Sequence, residues 1–219
     1  METNYTYDYI HKTDIYVYQR KDMFRINIDT SLLARFMRIH KKETVLDIGT
    51  NNGALLLAAA QYEPSFLYGV DIQQEAIEVA NYNMQQAKIQ NVELFHCDVK
   101  DIMLNNIDVV ICNPPYFPVQ EHSNVNESSY LKIARHEQYL TLDTLVHKVS
   151  QLLQEKGRFY MVHRADRLCD IITSLRKYRL EPKCIQFVYR KQDQAAYTVL
   201  IEAIKDGKAN LEVLSPHYL

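Results

Sequence analysis

A stiff turn at residues 113–116, Asn-Pro-Pro-Tyr, follows directly on the apolar run IDVVIC. Neither proline has an N–H for a sheet ladder, so the chain must leave its predicted strand at Asn113. The side-chain oxygen of Asn113 and the main-chain carbonyl of Pro114 could accept hydrogen bonds from an exocyclic amine and free its delocalised lone pair. Tyr116 offers a ring on which an extruded base can stack. Asn-Pro and Pro-Pro are also ordinary loop signals, but we predict a catalytic turn for amine chemistry, without a metal, made of Asn113, Pro114, Pro115 and Tyr116.

Carboxylates end three earlier predicted strands, at Asp47, Asp71 and Asp98. In an open α/β sheet, ligands bind at the carboxyl ends of the strands. The glycine order in VLDIGTNNG does not fit a dinucleotide-binding G-x-G-x-x-G, and the Asp47 carboxylate would repel a pyrophosphate. An ammonium, a ribose and an adenine would suit the three acids in turn, and S-adenosylmethionine carries all three groups. The alternative is that each acid only caps the helix that follows it.

The predicted cofactor contacts extend from these acids to neighbouring loop residues. Gly49 and Gly53 allow a tight backbone turn, and Asn51 tolerates left-handed backbone geometry better than most residues. Thr30 and Ser31 could reach a carboxylate of the ligand, although a plain helix N-cap is the alternative. The predicted cofactor-binding set is Thr30, Asp47, Gly49, Asn51, Asn52, Gly53, Asp71, Ile72, Cys97, Asp98, Val99 and Asn113.

Short β-branched runs alternate with longer helical patterns from residue 44 onward. This alternation predicts an α/β fold with a mostly parallel seven-stranded sheet, helices on both faces and an antiparallel C-terminal hairpin. Residues 1–43 are predicted to form an N-terminal extension, a hairpin followed by a helix opening at Asp29 or Thr30, packed on a core of residues 44–219. The predicted strands are 44–49, 66–71, 92–98, 107–112, 158–163, 184–190 and 196–204. The predicted helices are 52–62, 74–87, 142–154 (closed by Gly157) and 165–178.

The net charge of −2 over 219 residues hides an uneven distribution. Residues 156–191 hold ten Lys or Arg and three acids, residues 11–42 hold eight and three, and residues 43–155 hold five basic and fifteen acidic side chains. Basic flanks favour contact with nucleic-acid phosphates, although solvated helix faces produce similar runs. His136 is equally suited to packing within its own loop. The candidates for tRNA contact are Arg135, His136, Arg164, Arg176, Lys177, Arg179 and Arg190.

The composition indicates a protein of the reducing cytoplasm. Its four cysteines have no CxxC spacing, which predicts neither a metal site nor a disulfide framework. The N-terminal stretch lacks the pattern of a signal peptide, and no apolar run approaches the length of a membrane span. We expect a monomer without a membrane partner.

Four segments in this order and spacing, VLDIGTNNG, GVDIQ, FHCDV and NPPYFPV, resemble the amino-group class of S-adenosylmethionine-dependent methyltransferases. Further segments, FRINIDTSLLARF, IARHE, GRFYMVHR and LRKYRLEPK, resemble the bacterial family that methylates N6 of the adenosine beside the anticodon of a valine tRNA. The resemblance implies a Rossmann-like class I methyltransferase fold, S-adenosylmethionine as cofactor and tRNA as substrate. It implies roles for Asp47 and Gly49 in the cofactor loop, Asp71 at the ribose, Asp98 at the cofactor adenine, and residues 113–116 in catalysis.

The resemblance leaves several alternatives and one departure. Asn51 stands where such loops often have glycine. A glutamine side chain of a translation release factor could occupy the same catalytic turn, but those enzymes usually carry a helical N-terminal domain. Methyltransferases of guanine N2 tend to have Phe where Tyr116 stands. A tRNA-binding protein that keeps the fold without turnover is the alternative from another class.

Overall fold

The computed structural model describes residues 5–114 and 140–219, and within these ranges it forms one small and one large β-sheet. The small antiparallel ribbon consists of β1 (Tyr5–Tyr9) and β2 (Tyr16–Arg20). The strands of the large sheet are β3 (Thr44–Ile48), β4 (Phe66–Asp71), β5 (Val92–His96), β6 (Ile107–Cys112), β7 (Leu153–Arg164), β8 (Leu180–Tyr189), β9 (Thr198–Lys205), β10 (Glu212–Val213) and β11 (His217–Tyr218). The α-helices of the described ranges are α1 (Ile28–Phe36), α2 (Ala54–Ala60), α3 (Gln74–Gln86), α4 (Leu142–Leu152) and α5 (Leu168–Lys177).

The large sheet runs in the order β10-β8-β9-β7-β6-β3-β4-β5, with β11 also paired to β8. Strands β3 to β7 are parallel, whereas β9 is antiparallel to both β7 and β8. This confirms the predicted seven-stranded sheet with its antiparallel hairpin, to which β10 and β11 add two short strands. The chain order reverses between β3 and β6, which opens a crevice at their carboxyl ends.

Two apolar cores lie on opposite faces of the sheet, because successive strand residues point to opposite sides. In β3, Val45 packs with α1, α2 and α3, whereas Leu46 packs with α4 and α5. In β6, Val109 and Val110 divide between the two cores in the same way. Helix α2 (ALLLAAA) is buried over six of its seven residues, so it forms an apolar layer directly beneath the crevice.

The boundary between α4 and β7 differs from the sequence prediction. The helix ends at Leu152, and β7 begins at Leu153 with a register shift opposite the start of β6. Gly157 lies inside this irregular strand, where a Cβ would stand 3.0 Å from the carbonyl oxygen of Ile107. The prediction that Gly157 closes the helix was therefore wrong, and the residue instead permits close approach between two backbones.

Two further differences concern helix starts. A 3-10 turn, Ala165–Arg167, precedes α5. The α-helix therefore begins at Leu168, three residues later than the predicted start of helix 165–178. Helix α1 has Asn27 as its N-cap, whose side chain accepts a hydrogen bond from the Thr30 N–H. In the described parts of the chain, no helix combines the length and apolar character needed to cross a bilayer.

Candidate active site

A cleft of about 480 Å³ opens at the carboxyl ends of β3, β4, β5 and β6. It lies at the reversal of strand order, where open α/β sheets bind ligands, and its volume is typical of a small-molecule site. The sequence-predicted residues that line it are Thr30, Gly49, Asn51, Asn52, Asp71, Ile72, Cys97, Asp98, Val99, Asn113 and Pro114.

Other predicted residues lie elsewhere. Asp47 and Gly53 neighbour lining residues in the chain but do not line the cleft themselves. Pro115, Tyr116, Arg135 and His136 fall outside the described residues. Among the residues that are described, no group of three His, Cys, Asp or Glu side chains is placed to hold a metal ion.

The loop between β3 and α2 takes left-handed backbone geometry at three positions. The φ angles are 72° at Gly49, 50° at Asn51 and 78° at Gly53. A Cβ on Gly49 would meet no atom within 4 Å, so only its φ angle calls for glycine there. Asn51 adopts the αL conformation expected of it and donates from Nδ2 to the Phe24 carbonyl at 3.0 Å. The departure from glycine thus ties the loop to the segment after β2.

Asp71, the last residue of β4, joins two loops of the cleft. Its Oδ2 accepts the Asn51 N–H and its Oδ1 accepts the Gln73 N–H, each at 2.9 Å. Burial raises the pKa of Asp71, and these backbone donors oppose the rise. Each carboxylate oxygen keeps a second lone pair, so the side chain can also accept hydrogen bonds from vicinal ligand hydroxyls.

Asp47 is a buried carboxylate with only 1% of its surface exposed. Neither oxygen has a hydrogen-bond partner among the described residues, and the same holds for the Thr50 hydroxyl. Burial raises the pKa of Asp47 to about 7; the nearby Thr50 hydroxyl opposes the rise without reaching hydrogen-bonding geometry, and Asp71 adds to it. An uncompensated acid next to a second acid disfavours anions and favours a cationic group in the cleft.

Asn113 is held by a short chain of polar groups from α1. Its Nδ2 donates to Thr30 Oγ1 at 3.1 Å, and this hydroxyl donates to Asn27 Oδ1 at 3.2 Å. Thr30 is therefore not the helix N-cap considered from the sequence; Asn27 takes that role. Because Nδ2 points toward Thr30, the carboxamide oxygen of Asn113 is directed the other way, with Pro114 following it along the cleft wall.

Two lining residues have clear structural tasks. Asp98 accepts the Lys100 N–H at 2.9 Å, capping the 3-10 turn Val99–Asp101, and forms an ion pair with Lys100 Nζ at 3.0 Å. Asn52 accepts the Ala54 N–H at 3.2 Å and donates to Gln19 Oε1 at 3.1 Å. The capping role considered for Asp98 is therefore present, and it coexists with the residue's place in the cleft.

The structure also brings residues to the cleft that sequence reasoning missed. Tyr197 is one of them, and the guanidinium of Arg190 lies 3.9 Å from the centre of its ring. Tyr197 immediately precedes β9, and its place inside the predicted strand 196–204 carried no signal of a site. Further missed lining residues are Met23, Phe24, Arg25, Ile26, Asn27, Asp29, Ile48, Thr50, Ala54, Leu55, Val70, Gln73 and Leu140.

The predicted tRNA contacts divide between two edges of the sheet. Arg164 ends β7 and Arg190 follows β8, both at the edge that holds the cleft, and Arg164 forms an ion pair with Asp166. The pairing of Arg158 with Ile204 marks the opposite edge, which holds the amino ends of the parallel strands.

The other basic candidates lie toward this opposite edge, around the start of β8 at Leu180. Each is paired with an acid: Arg176 with Glu181 at 3.2 Å, Lys177 with Asp143 at 3.0 Å, and Arg179 with Asp206 at 2.7 Å. The five described basic candidates consequently do not form one patch around the cleft.

The fold is that of the Rossmann-like methyltransferases, as a solved structure shows. A predicted O-methyltransferase from Agrobacterium tumefaciens superimposes with a TM-score of 0.68 at 20% identity, over 87% of this chain and 86% of that one. Residues 39–204 match the family model described as "Methyltransferase domain", and the chain belongs to this family.

Curated relatives carry a more specific name. A protein of Flavobacteriaceae bacterium (strain 3519-10), named tRNA1(Val) (adenine(37)-N6)-methyltransferase, is 30% identical over 67% of this chain and 62% of its own length. A protein of the same name from Porphyromonas gingivalis is 28% identical over 84% of this chain and 83% of its own. The chain spans 62% and 64% of the length of two of the relatives it matches.

Proposed function

We propose that this protein transfers a methyl group from S-adenosylmethionine to the exocyclic N6 of an adenosine in tRNA, beside the anticodon of a valine tRNA. The observation that carries the proposal is the Asn113 carboxamide, fixed by Thr30 at the mouth of the cleft and followed by Pro114. The shared name of the relatives favours tRNA and adenine N6 as the substrate.

The residues of the cleft fit the cofactor. When bound, S-adenosylmethionine supplies an electrophilic methyl group on a positively charged sulfur. Asp71 would accept the ribose hydroxyls, and Asp98 and Val99 would border the adenine. The buried carboxylate of Asp47, which lacks a polar partner among the described residues, provides the negative potential that suits a cationic ligand.

The catalytic turn would act on the target amine. The oxygen of Asn113 and the carbonyl of Pro114 would accept its two N–H bonds, which draws the amine toward tetrahedral geometry and releases its lone pair for attack. Since both acceptors are held in place before the substrate arrives, little free energy is spent on aligning them. From the sequence, we assign Pro115 to keeping the turn rigid and Tyr116 to stacking against the extruded base.

The remaining parts of the proposal follow the same reading. Residues 1–43 would serve as an extension of the methyltransferase domain 44–219, and the enzyme would work as a cytoplasmic monomer without a metal. The basic residues at both edges, together with Arg135 and His136, remain candidates for contact with the tRNA backbone.

Nucleoside mass spectrometry tests the function directly. Unmodified bulk tRNA is incubated with S-adenosylmethionine and either the wild type or Asn113→Ala, and Asn91→Ala serves as an asparagine control far from the cleft. We expect new N6-methyladenosine with the wild type and the control, and none with Asn113→Ala. Cofactor binding without any methylated nucleoside would overturn the tRNA assignment. Methylation of a release-factor glutamine, detected by peptide mass spectrometry in a separate incubation, would replace it.

A further inference from the structure

The ribbon of β1 and β2 presents tyrosines on one face. Its register pairs Tyr7 with Tyr18, Tyr9 with Tyr16, and Tyr5 with Arg20. Because strand side chains alternate, these six residues point the same way, and we call them the tyrosine face. Of the residues between them, Val17 and Gln19 are buried, whereas Thr6 and Asp8 are only partly buried.

The rings of the tyrosine face contact one another but stay open to solvent. Tyr7 lies 4.5 Å from Tyr18 and 5.2 Å from Tyr16 between ring centres. Tyr7, Tyr9 and Tyr16 are 58%, 54% and 54% exposed. Tyr82 of α3, 40% exposed and 5.1 Å from Tyr18, extends the surface. Stability of the fold does not require such exposure of large aromatic rings.

Direct hydrogen bonds fix the ribbon to the cleft. Asn83 of α3 accepts the Tyr18 N–H at 2.8 Å and donates to the carbonyls of Tyr18 and Asn52 at 2.9 and 2.8 Å. Gln19 of β2 accepts the Ile26 N–H at 2.6 Å, and Ile26 lies in the segment that lines the cleft after β2. The tyrosine face therefore keeps a fixed position relative to the cofactor loop.

We propose that the tyrosine face stacks the unpaired bases of the RNA substrate that flank the nucleotide entering the cleft. The proposal rests on the proposed function. An enzyme that extrudes a base disrupts the stacking of its neighbours, and exposed rings on a β-ribbon beside the cleft replace that stacking. The chemistry of the surface suits bases more than phosphates, because its one charged member, Arg20, is paired with Asp22 at 2.6 Å and the other five members are tyrosines.

Binding of a labelled RNA hairpin with an unpaired loop tests the proposal. The full-length double variants Tyr7→Ser/Tyr16→Ser and Tyr7→Phe/Tyr16→Phe are compared with Tyr62→Ser, a 37% exposed tyrosine beyond the end of α2 farther from the cleft. Fluorescence anisotropy gives the Kd. The serine pair should raise it about 10- to 100-fold, whereas the phenylalanine pair and Tyr62→Ser should leave it near the wild-type value. Cofactor affinity, measured by calorimetry, should be unchanged in all variants.

The outcomes separate the two proposals. If the wild type methylates and binds RNA but the serine pair, folded by circular dichroism, binds equally well, the stacking role is refuted and the proposed function stands. If the serine pair changes only the oligomeric state on size exclusion, the tyrosine face joins copies of the chain. If the wild type binds and methylates no RNA while binding the cofactor, both proposals fall.

Discussion

Asn113 receives its orientation from a hydroxyl on α1, 83 positions earlier in the chain. Thr30→Val removes that hydroxyl with little change in shape, so the carboxamide loses the hydrogen bond that fixes its Nδ2. A single hydrogen bond of this kind is worth roughly 1 kcal/mol, and we expect kcat to fall about 5-fold. Methyl transfer at saturating cofactor and tRNA measures it.

Thr30→Ser is the matched control, because it keeps the hydroxyl and loses only a methyl group. It should retain most of the wild-type kcat. Equal losses in both variants would mean that packing of the threonine methyl, not the hydrogen bond to Asn113, supports the rate.

The Asp47 carboxylate makes the stability of the ligand-free protein depend on pH. With its pKa raised by burial from 3.8 to about 7, the folded protein keeps a proton that the unfolded chain has lost between about pH 4 and pH 7. The stabilising contribution of Asp47 is therefore present below about pH 4 and disappears as the pH rises to about 7. Asp47→Asn has no such titration, so its free energy of unfolding relative to wild type should rise by roughly 4 kcal/mol across this window.

Urea unfolding at several pH values between 4 and 8 measures the difference. Burial and the nearby Arg167 lower the pKa of His163 to about 4, and this group destabilises the fold as the pH falls from its usual range toward 4. That effect is common to both proteins and cancels in the comparison. A constant difference from pH 4 to 8 would show that Asp47 is ionised throughout.

Sequence reasoning predicted eleven of the 25 residues that line the cleft, but not how their side chains are used. Asp98 both lines the cleft and caps a turn, and Asn52 is engaged in holding α2 and Gln19. The cap made by Asp98 is local and was among the alternatives, whereas the hydrogen bond from Asn52 to Gln19 joins residues 33 positions apart, which spacing alone does not reveal. Asn27 was missed as a cap because Thr30, three residues later, is an equally suitable residue type.

At the scale of elements, the ribbon depends on one asparagine. Asn83 is 2% exposed and satisfies both backbone groups of Tyr18 as well as the Asn52 carbonyl. Asn83→Ala leaves three buried or partly buried groups without these partners, and we expect a loss of roughly 3 kcal/mol in the free energy of unfolding. Amide hydrogen exchange of the variant, relative to the wild type, should accelerate more in β1 and β2 than in β3.

Asn91→Ala supplies the comparison, since its Nδ2 also donates to two backbone carbonyls, those of Pro64 and Ser65, but at a more exposed site. It should cost less than about 1 kcal/mol. Uniformly faster exchange in all strands of Asn83→Ala would mean that the ribbon and the sheet unfold as one unit.

The elements themselves were predicted where apolar periodicity is strong. The bounds of β4 and β6 agree with the sequence prediction. Gly157 was misassigned because a glycine after a helical pattern signals a C-cap, whereas here it serves a bulged strand. The two-residue strands β10 and β11 are too short to produce a period, and pairing with β8 alone defines them.

For the whole molecule, the charge runs indicated basic flanks, but a linear count cannot say at which edge of a sheet a residue lies. Arg179 precedes β8 and Arg190 follows it, so Arg190 lies at the cleft edge and Arg179 pairs with Asp206 at the other edge. If tRNA is bound across the cleft edge, Arg190→Gln should weaken binding and reduce the slope of log Kd against log salt concentration by about 1. Arg179→Gln removes the same charge at the other edge and should leave that slope unchanged. Titrations of labelled tRNA at several salt concentrations measure the slope for both variants. An equal change of slope in both would show that the tRNA reaches both edges of the sheet.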